Sequence, residues 1–184
     1  MVTVHLNSLP KRSARCWAPA GGGLRVLDLG CGTGLGGEAL RPYASLLVGV
    51  DLSPDMLKQA SRRAFYDGLC EAELTSYCLL QPDRYDLVVA ADTLCYFGRL
   101  DDVFAAAAFA LAAAGWFVFT VEEADGDAVA GYQLNVHGRY SHHRDDVTRW
   151  LNAAGFHPHL MRHATLRHEL GAEVAGLVVA ARRV

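Results

Sequence analysis

Apolar residues gather in short runs closed by glycine or a polar turn, and helical spacings fill the gaps between them. Leu24–Leu29 (LRVLDL), Leu46–Leu52 (LLVGVDL), Tyr85–Ala91 (YDLVVAA) and Trp116–Val121 each predict a strand buried in a sheet. Leu35–Leu40, followed by Pro42, predicts a marginal helix, and Ser53-Pro54 supplies the cap and first-turn proline of a helix reaching about Phe65. Leu100, Val103, Phe104, Ala107, Ala108 and Leu111 share one helical face, and Gly115 is placed to end that helix. Residues 69–81 admit a short strand and a short helix. This alternation predicts a mostly parallel, doubly wound α/β sheet covered on both faces.

The last third changes pattern. Val147, Trp150, Leu151 and Ala154 predict a further helix capped by Gly155. His157–Arg167 and Val174–Ala181 predict two strands, and the turn-like Glu169–Ala172 between them is too short for anything but an antiparallel pair.

Composition narrows the picture. With 184 residues, 52% hydrophobic and 20% charged, the chain reads as one folded domain over 24–184 preceded by an N-terminal arm over 1–23, irregular or briefly helical. A net charge of −3 gives no basic face, so no nucleic-acid partner is expected. No apolar run approaches the roughly 20 residues of a membrane span. Lys11, Arg12 and Arg15 lack the apolar stretch that would make them a signal peptide. Five cysteines without CxxC spacing suggest reduced thiols and a cytoplasmic location, and the scattered histidines show no ligand triad, so no metal is expected.

The segment that carries chemistry is Asp28-Leu29-Gly30-Cys31-Gly32-Thr33-Gly34, where a strand ends and glycine recurs at every second position. Glycine belongs where backbone turns sharply or a ligand lies against it. Asp51, at the end of the next strand, can accept hydrogen bonds from both hydroxyls of a ribose. Two cofactors fit this much. Gly32-x-Gly34-x-x-Gly37 formally matches a dinucleotide motif. Asp28 argues otherwise: a pyrophosphate is repelled by a carboxylate there, whereas the sulfonium and ammonium of S-adenosylmethionine (SAM) are attracted to one.

LDLGCGTG together with GVDLSPDML resembles the first two motifs of class I SAM-dependent methyltransferases. The resemblance continues through YDLVVAADTLCYFGRLDDVF and GRYSHHRDDVTRWLNAAGF to VAGLVVAARR, and is similar to a bacterial subgroup of methyltransferases that are sometimes fused to tetratricopeptide repeats. It implies a Rossmann-like, seven-stranded sheet with an antiparallel C-terminal strand. It also implies SAM as cofactor and a methyl acceptor, here expected to be a small molecule. Asp28, Gly30, Cys31, Gly32, Thr33 and Gly34 would hold the methionine part, and Asp51 with Leu52 the ribose. Met56 would lie against adenine, Glu73 would be the adenine-side acid, and Asp92 with Thr93 would close the site. A non-catalytic SAM-binding protein on the same fold and a nicotinamide-dependent oxidoreductase are the alternatives.

Methyl transfer needs alignment first and a base only for a protonated acceptor. The candidates for such a role are His142, Tyr140 and His137, in the run His137–Arg144 that mixes imidazoles, a phenol and two guanidinium groups. Arg139 or Arg144 could clamp an acidic substrate. The same run also reads as a helix lead-in, with Ser141 as cap and His142 packed beneath. Tyr96, Glu122 and Glu123 lie at strand ends where one or more would face the acceptor.

Overall fold

The computed structural model describes residues 22–124, 131–169 and 171–184, so almost all of the arm over 1–23 lies outside the described residues. The strands are β1 (Leu24–Leu29), β2 (Ala44–Asp51), β3 (Gly68–Glu71), β4 (Tyr85–Ala90), β5 (Leu111–Glu123), β6 (Tyr132–Leu134), β7 (Tyr140–His142), β8 (Phe156–Glu169) and β9 (Ala172–Arg183). The helices are α1 (Leu35–Leu40), α2 (Pro54–Arg63), α3 (Leu74–Leu79), α4 (Asp101–Ala110) and α5 (Arg144–Ala153). Strands β3-β2-β1-β4-β5 are parallel; β9 runs antiparallel to β5, and β8 antiparallel to β9. The chain winds outward one way from β1 and the other way from β4, so the crevice at their carboxyl ends is the switch point of the sheet.

Side-chain alternation along the strands feeds two cores. Leu27, Val88, Phe117 and Phe119 face α3, α4 and α5, while Val26, Leu47, Leu87 and Val89 face α1. Phe104 of α4 meets Phe117 edge-on at 5.6 Å, and Phe117 lies 4.7 Å from Phe119.

Two details depart from expectation: the end of α4 and the number of strands. Helix α4 ends at Ala110 rather than at Gly115, because Leu111 is already extended while its amide caps the helix on Ala107. Gly115 serves instead at an irregularity in β5, where a side chain would meet Ala112 O at 2.9 Å and Asp86 O at 3.2 Å. Residues 69–81 resolve into both alternatives, β3 and α3. Among the described residues the sheet has nine strands and not seven, since the β6–β7 hairpin forms from three-residue segments that carry no periodicity. Glu122 pairs with Ser141 of β7 and also with Gly176 of β9, so these two strands flank β5 on opposite edges. Strand β7 therefore extends the β4 edge past the end of β4.

Strand β8 carries a bulge. The β8–β9 register shifts between Thr165 and Arg167, and the consecutive residues Leu166 and Arg167 are both buried. Strict alternation would send them to opposite faces; a bulge re-aims one. Leu166 packs over Gly176, where an added Cβ would sit 2.5 Å from Leu166 Cδ1 and 2.3 Å from Val121 O. Gly176→Ala is expected to cost about 1–3 kcal/mol by overpacking, seen as a lower urea midpoint at unchanged slope. A midpoint equal to wild type would show that this crossing relaxes freely.

Candidate active site

The turn after β1 uses its glycines for different reasons. Gly30 has φ +69, and a Cβ on it would lie 2.3 Å from Thr93 Oγ1. The side chain of Thr93 thus occupies the space of a Gly30 side chain, and its hydroxyl reaches Leu29 O at 3.1 Å. Gly32 has φ +52 and open space where a Cβ would stand. Its amide donates to Asp51 Oδ2 at 2.8 Å, while Asp51 Oδ1 accepts from Ser53 N at 2.9 Å. Asp51 therefore shapes the turn from across the sheet. Arg63 of α2 adds a bond from Nε to Thr33 O at 2.8 Å.

Above these turns lies a cleft of about 990 Å³. Asp28, Gly30, Cys31, Gly32, Thr33, Asp51, Leu52, Met56, Glu73, Asp92 and Thr93 all line it; Gly34 does not, packing instead against Ala60 and Tyr66. Asp28 is 4% exposed and accepts from the Tyr66 hydroxyl, Oδ2 to Oη, at 2.6 Å. Burial raises its pKa to about 6, with Tyr66 pulling it down and the charge of Asp51 adding to the rise. Burial and the same two carboxylates push the Cys31 thiol up to about 12, so it stays protonated and unreactive. Leu52 and Met56 present exposed apolar surface at the mouth. Glu73 lines the cleft at the start of α3. Both its oxygens are engaged in capping α3, accepting from Thr75 N at 2.9 Å and Ser76 N at 2.7 Å. Burial would raise its pKa, but those amide bonds hold it below the usual value.

The far end of the cleft is built around Arg167. Bulged inward from β8 and 6% exposed, it donates from Nη1 to Asp92 Oδ1 at 2.6 Å, from Nη2 to Glu122 Oε1, and from Nε to Glu169 Oε2 at 3.2 Å. Asp92 adopts φ 55, and its amide is held by Thr120 Oγ1 at 2.9 Å. Burial raises the Asp92 pKa, with Arg167 and Arg139 opposing the rise. Arg139 donates from Nη1 to Glu169 Oε2 at 2.6 Å and stands 5.9 Å over the Tyr96 ring. Both arginines and Tyr96 line the cleft.

The three residues expected to carry catalysis do not line it. His142 is fully buried, with Nε2 2.9 Å from both the Phe97 and the Gly98 carbonyl oxygens and its ring edge-on to Trp150. Those carbonyls can only accept, so Nε2 carries the proton, and burial lowers the pKa and keeps the ring neutral. Tyr140 packs edge-on to Tyr132 at 5.7 Å. His137 is exposed and sits 3.7 Å from Glu122 Oε2. Nor does Ser141 cap α5: it is buried in β7, and His143 holds the cap position. Glu122 is buried against Arg167, and Glu123 pairs with His163 at 2.6 Å. Sequence reasoning missed Arg167 and Tyr66. The only trace of Arg167 is an arginine in a strand, and the bulge that turns it inward has no signature. Among the described residues no group of His, Cys, Asp or Glu could hold a metal ion, and no helix is long and apolar enough to cross a membrane.

A doubly wound sheet with two carboxylates and an open glycine at its switch point defines an α/β domain that binds a nucleoside cofactor. Residues 27–117 match the family described as methyltransferase domain. The ubiquinone biosynthesis O-methyltransferase of Thiobacillus denitrificans is 32% identical over 120 residues, covering 63% of this chain and 51% of the relative. The 18S rRNA (guanine-N(7))-methyltransferase of Bos taurus is 32% identical over 81 residues, covering 42% and 29%. The chain thus spans about half the length, or less, of the curated relatives it matches. The crystal structure of an S-adenosylmethionine-dependent methyltransferase from Mesorhizobium loti is 26% identical, covers 94% of this chain and 96% of its own, and superposes with a TM-score of 0.70. Residues 27–117 thus carry a methyltransferase-domain match, and the chain as a whole shares the fold of S-adenosylmethionine-dependent methyltransferases.

Arg167→Met would leave Asp92 and Glu122 without their cation, and a broken buried pair costs about 3–5 kcal/mol. Losing the cation removes the pull that opposes burial at Asp92, so its pKa rises further above the usual value. The penalty is therefore full near neutral pH and shrinks as acid protonates Asp92. Urea unfolding of wild type and variant between pH 8 and pH 5 measures it; a gap that stays constant would contradict the pairing.

Proposed function

We propose that this protein is a SAM-dependent methyltransferase that methylates a small-molecule acceptor bearing an O–H or N–H group, and that it works in the cytoplasm. The observation that carries the reading is the junction of Asp28, Gly32 and Asp51 at the mouth of β1 and β2. Gly32 faces open space, as a cradle must. Asp28 is a buried carboxylate that no basic side chain among the described residues pairs with, a setting that favours a cationic ligand and disfavours a pyrophosphate. The dinucleotide alternative loses further ground because Gly34 and Gly37 face Ala60 and Tyr66 rather than open space.

SAM would supply a methyl carbon activated by a positive sulfur. Asp28 would accept from its ammonium group. Asp51 has a further lone pair on each oxygen for the ribose hydroxyls. Leu52 and Met56 would flank the adenine, with Thr93 and Asp92 beyond the methionine. At the acceptor end, Arg167 holds Asp92 Oδ1, and Oδ2 has no hydrogen-bond partner among the described residues. That oxygen is suited to receive a proton from a hydroxyl or amine. An acidic acceptor has less support than the sequence suggested, since Arg139 and Arg167 already pair with Glu169, Asp92 and Glu122. The cleft volume, the net charge of −3 and the free thiols of Cys31, Cys70, Cys78 and Cys95 support a small acceptor and a reducing location.

Calorimetric titration with SAM, S-adenosylhomocysteine and NAD is expected to show saturable binding of the first two, weakened at least roughly tenfold in Asp51→Ala through loss of hydrogen bonds to a charged group. Binding of NAD alone would overturn the cofactor. With methyl-labelled SAM, label is expected in a panel of phenols, alcohols and amines. Label found in total RNA instead would replace the small-molecule acceptor, a possibility that the bovine relative makes worth testing.

A further inference from the structure

No sequence motif marks Tyr66, which stands in the loop between α2 and β3 just past Ala64, a residue with φ 55. Its side chain runs back beneath the turn after β1 through a slot walled by three glycines. A Cβ on Gly34, Gly37 or Gly49 would lie 3.1, 2.7 or 2.9 Å from carbons of the Tyr66 ring. These glycines come from three separate places: the turn, helix α1 and strand β2. The spacing that mimics a dinucleotide motif is thus accounted for, in its second and third glycines, by a half-buried ring. At the end of the slot the phenol meets Asp28 Oδ2 at 2.6 Å. Helix α1 also yields at this carboxylate, since a Cβ on Gly36 would sit 3.1 Å from Oδ2.

The groups around Asp28 make the contact consequential. Asp51 faces it from the end of β2, the Cys31 thiol from the turn, and Tyr66 from below, while α1 adds Glu38 to the same cleft. Among the described residues no cation pairs with Asp28, and its Oδ1 makes no hydrogen bond. Tyr66 is therefore the neutral donor that stands in for a counter-ion until a ligand brings one.

We propose that Tyr66 is a positioning residue of the cofactor site: by clamping Asp28 Oδ2 it leaves Oδ1 as the oxygen offered to the ammonium group of SAM. This rests on the cofactor reading above. A hydrogen bond donated to a carboxylate favours its charged form, and the phenol opposes the rise to about 6 that burial and Asp51 impose on Asp28. Ammonium binding requires ionised Asp28, so affinity falls as pH drops through the Asp28 pKa, by up to tenfold per unit. Without the hydroxyl that fall begins at higher pH.

Tyr66→Phe keeps the ring that fills the glycine slot and removes only the donor. The probe is S-adenosylhomocysteine, which retains the ammonium group and does not react. Its affinity for the full chain is measured by calorimetry from pH 5 to 8.5, alongside thermal melts and the titration of side-chain carbon-13-labelled aspartate in the ligand-free protein. For wild type the affinity is expected to fall below about pH 6. For Tyr66→Phe, still folded, the fall and the Asp28 titration are expected about one pH unit higher, so that binding is roughly twofold weaker at pH 7 and the gap widens to roughly tenfold at pH 5. Superimposable profiles, with affinities within about twofold even at pH 5, would overturn the positioning role and leave the cofactor reading intact. A wild type that binds no S-adenosylhomocysteine at any pH would overturn the cofactor reading itself, and the proposal with it.

Discussion

The close crossing of the turns after β1 and β4 determines where everything else in the cleft can stand. Thr93 fills the volume that a side chain on Gly30 would need, and its hydroxyl ties the β4 turn to the carbonyl that ends β1. Close packing at this crossing leaves no slack. It fixes Asp28 on one side and Asp92 on the other, at two ends of one cleft. The φ values of +69 at Gly30 and 55 at Asp92 follow from the same constraint, because both chains must turn away sharply once they have crossed.

Charge is then distributed unequally along the cleft. At the β1–β2 end, Asp28 and Asp51 stand without a basic partner among the described residues and are steadied by neutral donors: the Tyr66 phenol and the amides of Gly32 and Ser53. Such an arrangement is costly when empty and relieved by a cation. At the β4–β5 end, two guanidinium groups are shared among Asp92, Glu122 and Glu169. That end sets two positive charges against three carboxylates and is backed by the buried His142 ring against the Phe97 and Gly98 carbonyls. One end is suited to a charged cofactor and the other to aligning an acceptor.

The hairpin β8–β9 is more than a sheet edge. By bulging at Leu166 it sends Arg167 across the top of β5 to reach Asp92, so a residue near the C-terminus organises the turn after β4. The β6–β7 hairpin supports the same region from the opposite edge of β5 through Ser141 and His142. His142 is structural by position, fully buried and kept neutral by that burial.

The sequence by itself determined the alternating strands and helices, the antiparallel closing pair, the glycine turn and the two acids beyond it, because each rests on local periodicity or on a residue type whose backbone or charge has one use. Most cofactor candidates, Asp28 through Asp92, accordingly line one cleft. What only the tertiary structure decided depends on contacts between distant segments: that Thr93 is the reason for glycine at position 30, that Tyr66 fills the slot beneath Gly34 and Gly37, that Glu73 spends its oxygens on a helix cap, and that a bulge exchanges the expected His142 for Arg167 at the site. Periodicity says which face a residue takes within its own element. Where two elements meet, and which side chain fills the space between them, is set by packing across the whole sheet.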